Sequence, residues 1–236
     1  MRLAALALLV AAGPALAQTA VLPGDPALDT SVIQAGEERF VVRLVAPMQQ
    51  DIGTIVETTT LADDRVTRVT RIDIPMGGEA QTDSVVAVWP GLAPVSSAST
   101  QRGRRAGDSD AVTFMDGHAM TTVTTGGATS DSTITFSEPV FGGGWASEVV
   151  RALPLAAGYA ATFPTLDAGR GLTTTTATVT GTESVTTPAG PVEAWTVDVA
   201  NGAQTATYVI AQGTKALLAM RFSPQPGVRI EVAPAP

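Results

Sequence analysis

Lys215–Val232 reads KALLAMRFSPQPGVRIEV, and its alternation decides the fold. Ala216, Leu218, Met220 and Phe222 fall on one side of an extended chain, against Lys215 and Arg221. Gln225-Pro226-Gly227 supplies a turn, after which Val228, Ile230 and Val232 alternate with Arg229 and Glu231. Successive side chains of a strand point to opposite faces, so a period of two marks a strand with one buried face. Two such strands about a Pro-Gly turn predict an antiparallel hairpin.

The same rhythm recurs outward from this hairpin. Strands are expected near 159–163, 172–180, 183–187, 192–199 and 204–211, with Pro188-Ala189-Gly190 turning between two of them. Upstream, Phe40, Val42, Leu44 and Ala46 oppose Arg39 and Arg43. Gly53–Leu61 and Arg65–Ile74 flank a turn at Asp63-Asp64; Val66, Ile72 and Ile74 share a face that Val69 interrupts. Ser84–Trp89 is almost continuously apolar and is expected to be buried on both sides. Ala111–Met115 and Ala119–Thr125 flank Asp116-Gly117, a strong hairpin dipeptide, and Ser132–Ser137 forms a further short strand. Ser96–Asp110, polar and rich in Gly and Arg, reads as a long loop.

One segment departs from this rhythm. Trp145, Val149 and Leu153 lie at i, i+4 and i+8 with Ala146 and Val150 beside them, which is the spacing of one apolar helix face. Gly142–Gly144 precede the segment as a flexible approach, and Pro154 ends it. The expected architecture is therefore mainly β: one large curved antiparallel sheet with one short helix packed on it, residues 39–137 being the candidate for a second sheet. Thr and Val, β-branched and suited to strands, dominate the composition. The absence of a 20–50-residue repeat argues against propellers and solenoids.

The first residues carry a different message. Met1-Arg2, an apolar run from Leu3 to Ala12 and the closing Ala15-Leu16-Ala17 are the three parts of a secretory signal peptide. The run is shorter than the roughly 20 residues a membrane span needs. The organisation read from sequence is a signal peptide over 1–17, a flexible N-terminal arm over 18–38 containing Pro23 and Pro26, and a single β-rich domain over 39–236. The expected location is the periplasm or the medium, with no membrane span once the leader is removed.

Composition excludes several function classes. The formal charge is −8, from 14 basic and 22 acidic residues. Nucleic acid and anionic membranes both demand basic patches, so neither is an expected partner. With no cysteine there is no disulfide framework, no lipid-bearing cysteine and no thiol nucleophile. His118 is the only histidine and sits beside the Asp116-Gly117 turn; it cannot supply a zinc site alone. Asp108-Ser109-Asp110 opens like a calcium loop, but Thr113 and Ala119 stand where that loop requires Gly and Glu. No Gly-x-Ser-x-Gly elbow and no His-Glu-x-x-His occur. Glu138, Glu148, Glu183 and Glu193 offer carboxylates for glycosidase work, yet nothing pairs any two of them. A glycine run at a helix start can cradle phosphate, although Gly142–Gly144 reads more simply as that flexible approach. Thr173–Thr176 reads as an ordinary solvent-facing strand. No catalytic residue, metal or cofactor is expected.

A family resemblance adds to this reading. Gly181-Thr182-Glu183, then Thr187-Pro188-Ala189-Gly190, then Ala194-Trp195-Thr196-Val197 resembles a hairpin of uncharacterised exported bacterial proteins. Val150-Arg151-Ala152-Leu153-Pro154-Leu155 followed by Gly158-Tyr159 is similar to a second segment of those proteins. The resemblance spans roughly residues 40–232, with its specific motifs in 145–200. That family looks like the lipoprotein-carrier (LolA/LolB-like) half-barrels, in which a curved sheet wraps helices and holds lipid. This chain departs from the carriers in showing one helix where they use several. The resemblance implies a concave apolar face crossed by the helix. Trp145, Val149, Leu153, Tyr159, Phe163 and Trp195 are its candidate ligand-binding residues; the same six would serve equally as plain core. The expected partner is a lipid or other apolar small molecule, with binding to another envelope protein through an exposed sheet surface as the alternative.

Overall fold

The computed structural model describes residues 18–75 and 78–235, so the expected leader lies outside the described residues. The strands, in chain order, are β1 (Thr19–Ala20), β2 (Gly36–Ala46), β3 (Gln50–Ala62), β4 (Arg65–Ile74), β5 (Glu79–Val88), β6 (Pro94–Gly103), β7 (Ser109–Met115), β8 (His118–Thr125) and β9 (Ala128–Thr135). They continue with β10 (Phe141–Gly142), β11 (Ala160–Asp167), β12 (Gly171–Thr187), β13 (Gly190–Asn201), β14 (Gln204–Ala211), β15 (Leu217–Gln225) and β16 (Val228–Pro234). The single α-helix among the described residues is α1 (Ala146–Ala152), entered through a 3-10 turn at Gly143–Trp145.

All of these strands belong to one sheet, ordered β1-β11-β12-β13-β14-β15-β16-β2-β3-β4-β5-β6-β7-β8-β9, with β10 beside β11. The large sheet with one short helix matches the expectation, but residues 39–137 make no second sheet. Strand β2 joins β16, the end of the opening hairpin, with Val42 opposite Val232. Two strands with complementary buried faces and free edges pair more favourably with each other than with solvent.

Three local differences have physical causes. The expected loop over 96–110 is largely β6, whose inward positions Ser97, Ser99 and Gln101 are polar and so hide the alternation from a hydrophobicity pattern. The expected strands 172–180 and 183–187 are one strand, β12, broken in register between Val179 and Gly181. Strand β15 carries a bulge as well: Val209 pairs with Ala219 and Ile210 with Leu217, so Leu218 is the extra residue. A bulge shifts the residues before it to the opposite face. Leu218 accordingly joins Val185, Ala194 and Val209 in an outer cluster, and Leu217 takes the inward place.

The segment 18–38, expected to be a flexible arm, is docked. Thr19 and Ala20 pair in parallel with Ala161 and Thr162, and the amide of Asp29 donates to the carbonyl of Ala152 at 2.9 Å. Val21 is fully buried and Ile33 nearly so, both in the main core. The prolines that make this stretch irregular do not keep its apolar residues from the core.

That core joins opposite walls through the helix. Val66, Val85 and Ala87 of β4 and β5 meet Trp145, Val149 and Val150, which in turn meet Phe163, Ala177, Val197 and Ile210. The two ends of the sheet are brought together by side chains: Val112, Ala119, Val140 and Leu166 form a separate buried cluster with Phe114, Ile134 and Ala168. No strand pairing links β9 to β11 among the described residues, so the closure is barrel-like rather than a hydrogen-bonded barrel.

Candidate ligand-binding chamber

The sequence-nominated residues come together, mostly out of reach. Trp145, Val149, Leu153 and Phe163 are at most 1% exposed, and Tyr159 and Trp195 pack half-buried against the same core. Trp145 precedes α1 rather than lying within it, and Phe163 meets Phe141 edge to face at 5.7 Å. Burial pushes the Tyr159 phenol up in pKa, aided by Asp25, and its hydroxyl has no hydrogen-bond partner.

Arg68 holds the start of α1 against the sheet. It occupies an inward position of β4, in phase with Val66, at 6% exposure. Its guanidinium pairs with the Glu148 carboxylate, donates to the Ser147 hydroxyl at 3.2 Å and to the Gly144 carbonyl, and lies 5.3 Å from the Trp145 ring. Glu57 of β3 approaches the same guanidinium at 3.8 Å. Burial works against the Arg68 charge, but Glu148 and Glu57 more than offset it. Burial raises the Glu57 pKa, and Glu148 and Glu38 add to that against the pull of Arg68. Burial, then Glu148, pushes the neighbouring Tyr208 phenol up to about 12. Gly144 must be glycine for a steric reason: an added Cβ would lie 2.5 Å from Val85 Cγ1. The expected flexible glycine approach is thus a close crossing of helix and strand.

Open space lies on either side of this crossing. One lobe, about 500 Å³, runs from Ala146 along Val199, Ala206, Tyr208, Met220 and Phe222. Its far end is polar, with Thr175, Asn201, Gln204 and Arg170. The second lobe, about 460 Å³, shares Gly143, Arg170 and Gln204 with the first and is lined by Asp83, Asp110 and Asp167. Strand register explains the acidity. Glu57, Thr70, Asp83, Ser99 and Asp110 stand directly opposite one another across β3 to β7, and such partners share one face. Asp83 accepts from Gln81 at 2.8 Å, and Asp167 is held by Arg170 at 2.9 Å. Burial, then Asp83 and Asp167, raises the Asp110 pKa.

A buried hydroxyl cluster floors the polar end. Thr165 and Thr175 are 1% and 0% exposed, their hydroxyls lie 3.0 Å apart, and Asn201 Nδ2 donates to both. Asn201 Oδ1 is buried with no hydrogen-bond partner among the described residues. Thr175 therefore faces inward, not to solvent as the Thr173–Thr176 run suggests. The four glutamates considered for acid–base work are dispersed: Glu148 is tied to Arg68, Glu183 to Arg221 at 2.9 Å, Glu138 lines a different hollow beside Phe114 and Phe136, and Glu193 is exposed on β13. A larger open groove of about 640 Å³ lies along the sheet rim, bordered by Gln49, Asp198, Arg221 and Glu231. Among the described residues no cluster of His, Asp or Glu is arranged to hold a metal.

Residues 27–232 match the family described as "Protein of unknown function (DUF3108)". The chain belongs to the DUF3108 family. This agrees with the uncharacterised family that the 181–197 hairpin resembles. No curated protein matches the sequence. A crystal structure described as a beta-barrel-like protein of domain of unknown function DUF1849 from Brucella abortus is similar in fold: TM-score 0.56, 10% identity, covering 84% of this chain and 94% of that one. At that identity the likeness concerns the fold alone, and it agrees with the barrel-like curl of the DUF3108 chain.

Proposed function

We propose that this DUF3108 protein is an exported, non-catalytic binding protein that holds a lipid or other apolar ligand in the lobe between α1 and β13–β15. The observation that carries this reading is the wall made by Ala206, Met220 and Phe222, which is apolar, only partly buried and faces an open volume of about 500 Å³. Concave sites of about 300–1,000 Å³ with apolar walls and a few polar groups are the usual form of small-molecule sites. The resemblance to lipoprotein-carrier half-barrels supports the same reading, since those also place ligand between a curved sheet and helix. The six residues nominated from sequence act in this reading as the packed support of the site, and Val199, Ala206, Tyr208, Met220 and Phe222 as its contact wall. The buried charges of Arg68 and Glu148 are spent on each other, which supports a binding rather than a catalytic role.

Native mass spectrometry of protein purified from its own source, followed by organic extraction, tests the reading. A co-purifying apolar molecule at a fixed stoichiometry, lost in Ala206→Trp, is the expected result. An unliganded mass, with no uptake of alkyl probes afterwards, counts against it.

A second reading is an interaction module that holds another envelope protein. It is favoured by β9, which is exposed and, among the described residues, pairs on one side only, beside the exposed Met115 and Met120. Unpaired strand edges template pairing with another chain. Loss of a partner on Thr133→Pro, with alkyl binding intact, would favour it.

A further inference from the structure

We propose that the chamber selects an amphiphile with a cationic, hydrogen-bond-donating head, a long-chain amine in chemical class. Its chain would lie on the Val199–Phe222 wall and its ammonium between Asn201 and the Asp83–Asp110 row. The inference rests on the binding reading above and names the ligand class for that site.

Three separate features support it. The apolar and acidic lobes border one another at Gly143, Arg170 and Gln204, which sets the acidic row beside the polar end of the apolar wall. At the polar end of the apolar lobe, Asn201 spends its amide hydrogens on Thr165 and Thr175, leaving Oδ1 as a buried acceptor without a donor among the described residues. A buried acceptor left unmatched is destabilising, and a donor on the ligand removes that cost. In the second lobe stand Asp83, Asp110 and Asp167, while Arg170, the one cationic residue lining either lobe among the described residues, already bonds to Asp167 and Gln204. At the acidic end of these two lobes a carboxylate or phosphate head would meet like charge, whereas an ammonium meets opposite charge; Arg221 and Arg229 line the neighbouring groove instead. Like-charge juxtaposition is what suppresses wrong partners at a binding site.

The test is calorimetry of the purified protein with dodecylammonium, dodecyltrimethylammonium, dodecan-1-ol and dodecanoate, each below its micelle threshold. The proposal predicts saturable binding of one dodecylammonium per chain, at least ~10-fold tighter than dodecanoate, about 1.4 kcal/mol. The trimethylated probe, charged but without a donor, should bind more weakly than dodecylammonium, and Asn201→Leu should erase that difference. Asp83→Asn with Asp110→Asn should abolish the preference for the cation while leaving dodecan-1-ol binding in place. An equal charge change on the outer face, Glu37→Gln with Asp131→Asn, should preserve it. Dodecanoate binding as tightly as the amine, or equal loss of preference in both double variants, overturns the proposal and leaves the binding reading standing. Equal affinity for the amine and its trimethylated form overturns the donor requirement. Failure of all four probes to bind overturns both readings.

Discussion

Arg68 is the residue on which the interior turns. It is a guanidinium on an inward strand position, gripping Gly144, Trp145, Ser147 and Glu148 with Glu57 alongside. Removing one partner of a buried ion pair leaves an uncompensated charge and costs about 3–5 kcal/mol. Arg68→Met should therefore lower stability by about that amount, read from the urea midpoint at constant slope. A loss below about 1 kcal/mol would mean the pair is as weak as an exposed one. Glu57 gives a second, signed expectation. Its pKa is raised in the fold, so between the ordinary glutamate value and its folded value the native state holds more protons than the unfolded chain. Its contribution to stability is thus present at low pH and lost as pH rises through that window. Glu57→Gln should gain stability relative to the parent across the window as pH rises; denaturation series from mildly acidic to neutral pH check this, and a constant offset would contradict it. Gly144 offers a steric test. Gly144→Ala should destabilise by about 1–3 kcal/mol through overpacking against Val85, with partial recovery on adding Val85→Ala. A purely additive double variant would show that the two sites do not touch.

At the scale of elements, the strands were legible wherever hydrophobicity alternated. The hairpins β3–β4, β7–β8 and β15–β16 fall where their turns and periodicity put them. Much of what escaped the pattern shares one cause: inward positions filled by polar residues. On β4 the apparent interruption at Val69 disappears once Arg68 and Thr70 are placed on the Val66 face. On β6 the inward serines and glutamine imitate a loop. The acidic lobe was hidden in the same way, because Asp83 and Asp110 are far apart in sequence and meet only through Ser99 across the sheet. Polar residues on the inward phase of a strand are the signal that could have located Arg68, Glu57 and this row. The bulge at Leu218 left no such trace, since Leu217 and Leu218 are chemically equivalent in a pattern. The N-terminal segment makes the prediction at this scale. The amides of Val21, Gly24 and Asp29 donate to Thr162, Gly91 and Ala152, so they should be protected in hydrogen exchange. Immediate exchange of all three would return the segment to the flexible arm expected from its prolines. Ile33→Ala should likewise cost about 2–5 kcal/mol, which an arm outside the core would not.

Over the whole molecule, the sheet is too long to stay flat and curls until its ends meet through Leu166, Val112 and Ala119. Sheets twist with a fixed hand, and long ones curl or split. The one α-helix among the described residues, seven residues long, does not fill the resulting interior, which leaves the two lobes on either side of Gly143. The mainly β class, the curved sheet and the lone helix were readable from sequence; the open volume was not, because it depends on how far the curl outruns the helix. The proposed function requires that the open lobe beside α1 receive a ligand chain. The most direct measurement is photo-crosslinking with a long-chain alkyl probe carrying a diazirine near its end, followed by peptide mapping. Label concentrated on β14 and β15, at Ala206, Met220 or Phe222, and displaced by excess unlabelled probe, is the predicted result. Label spread over the outer face or confined to β9, or none that competitor displaces, would contradict it.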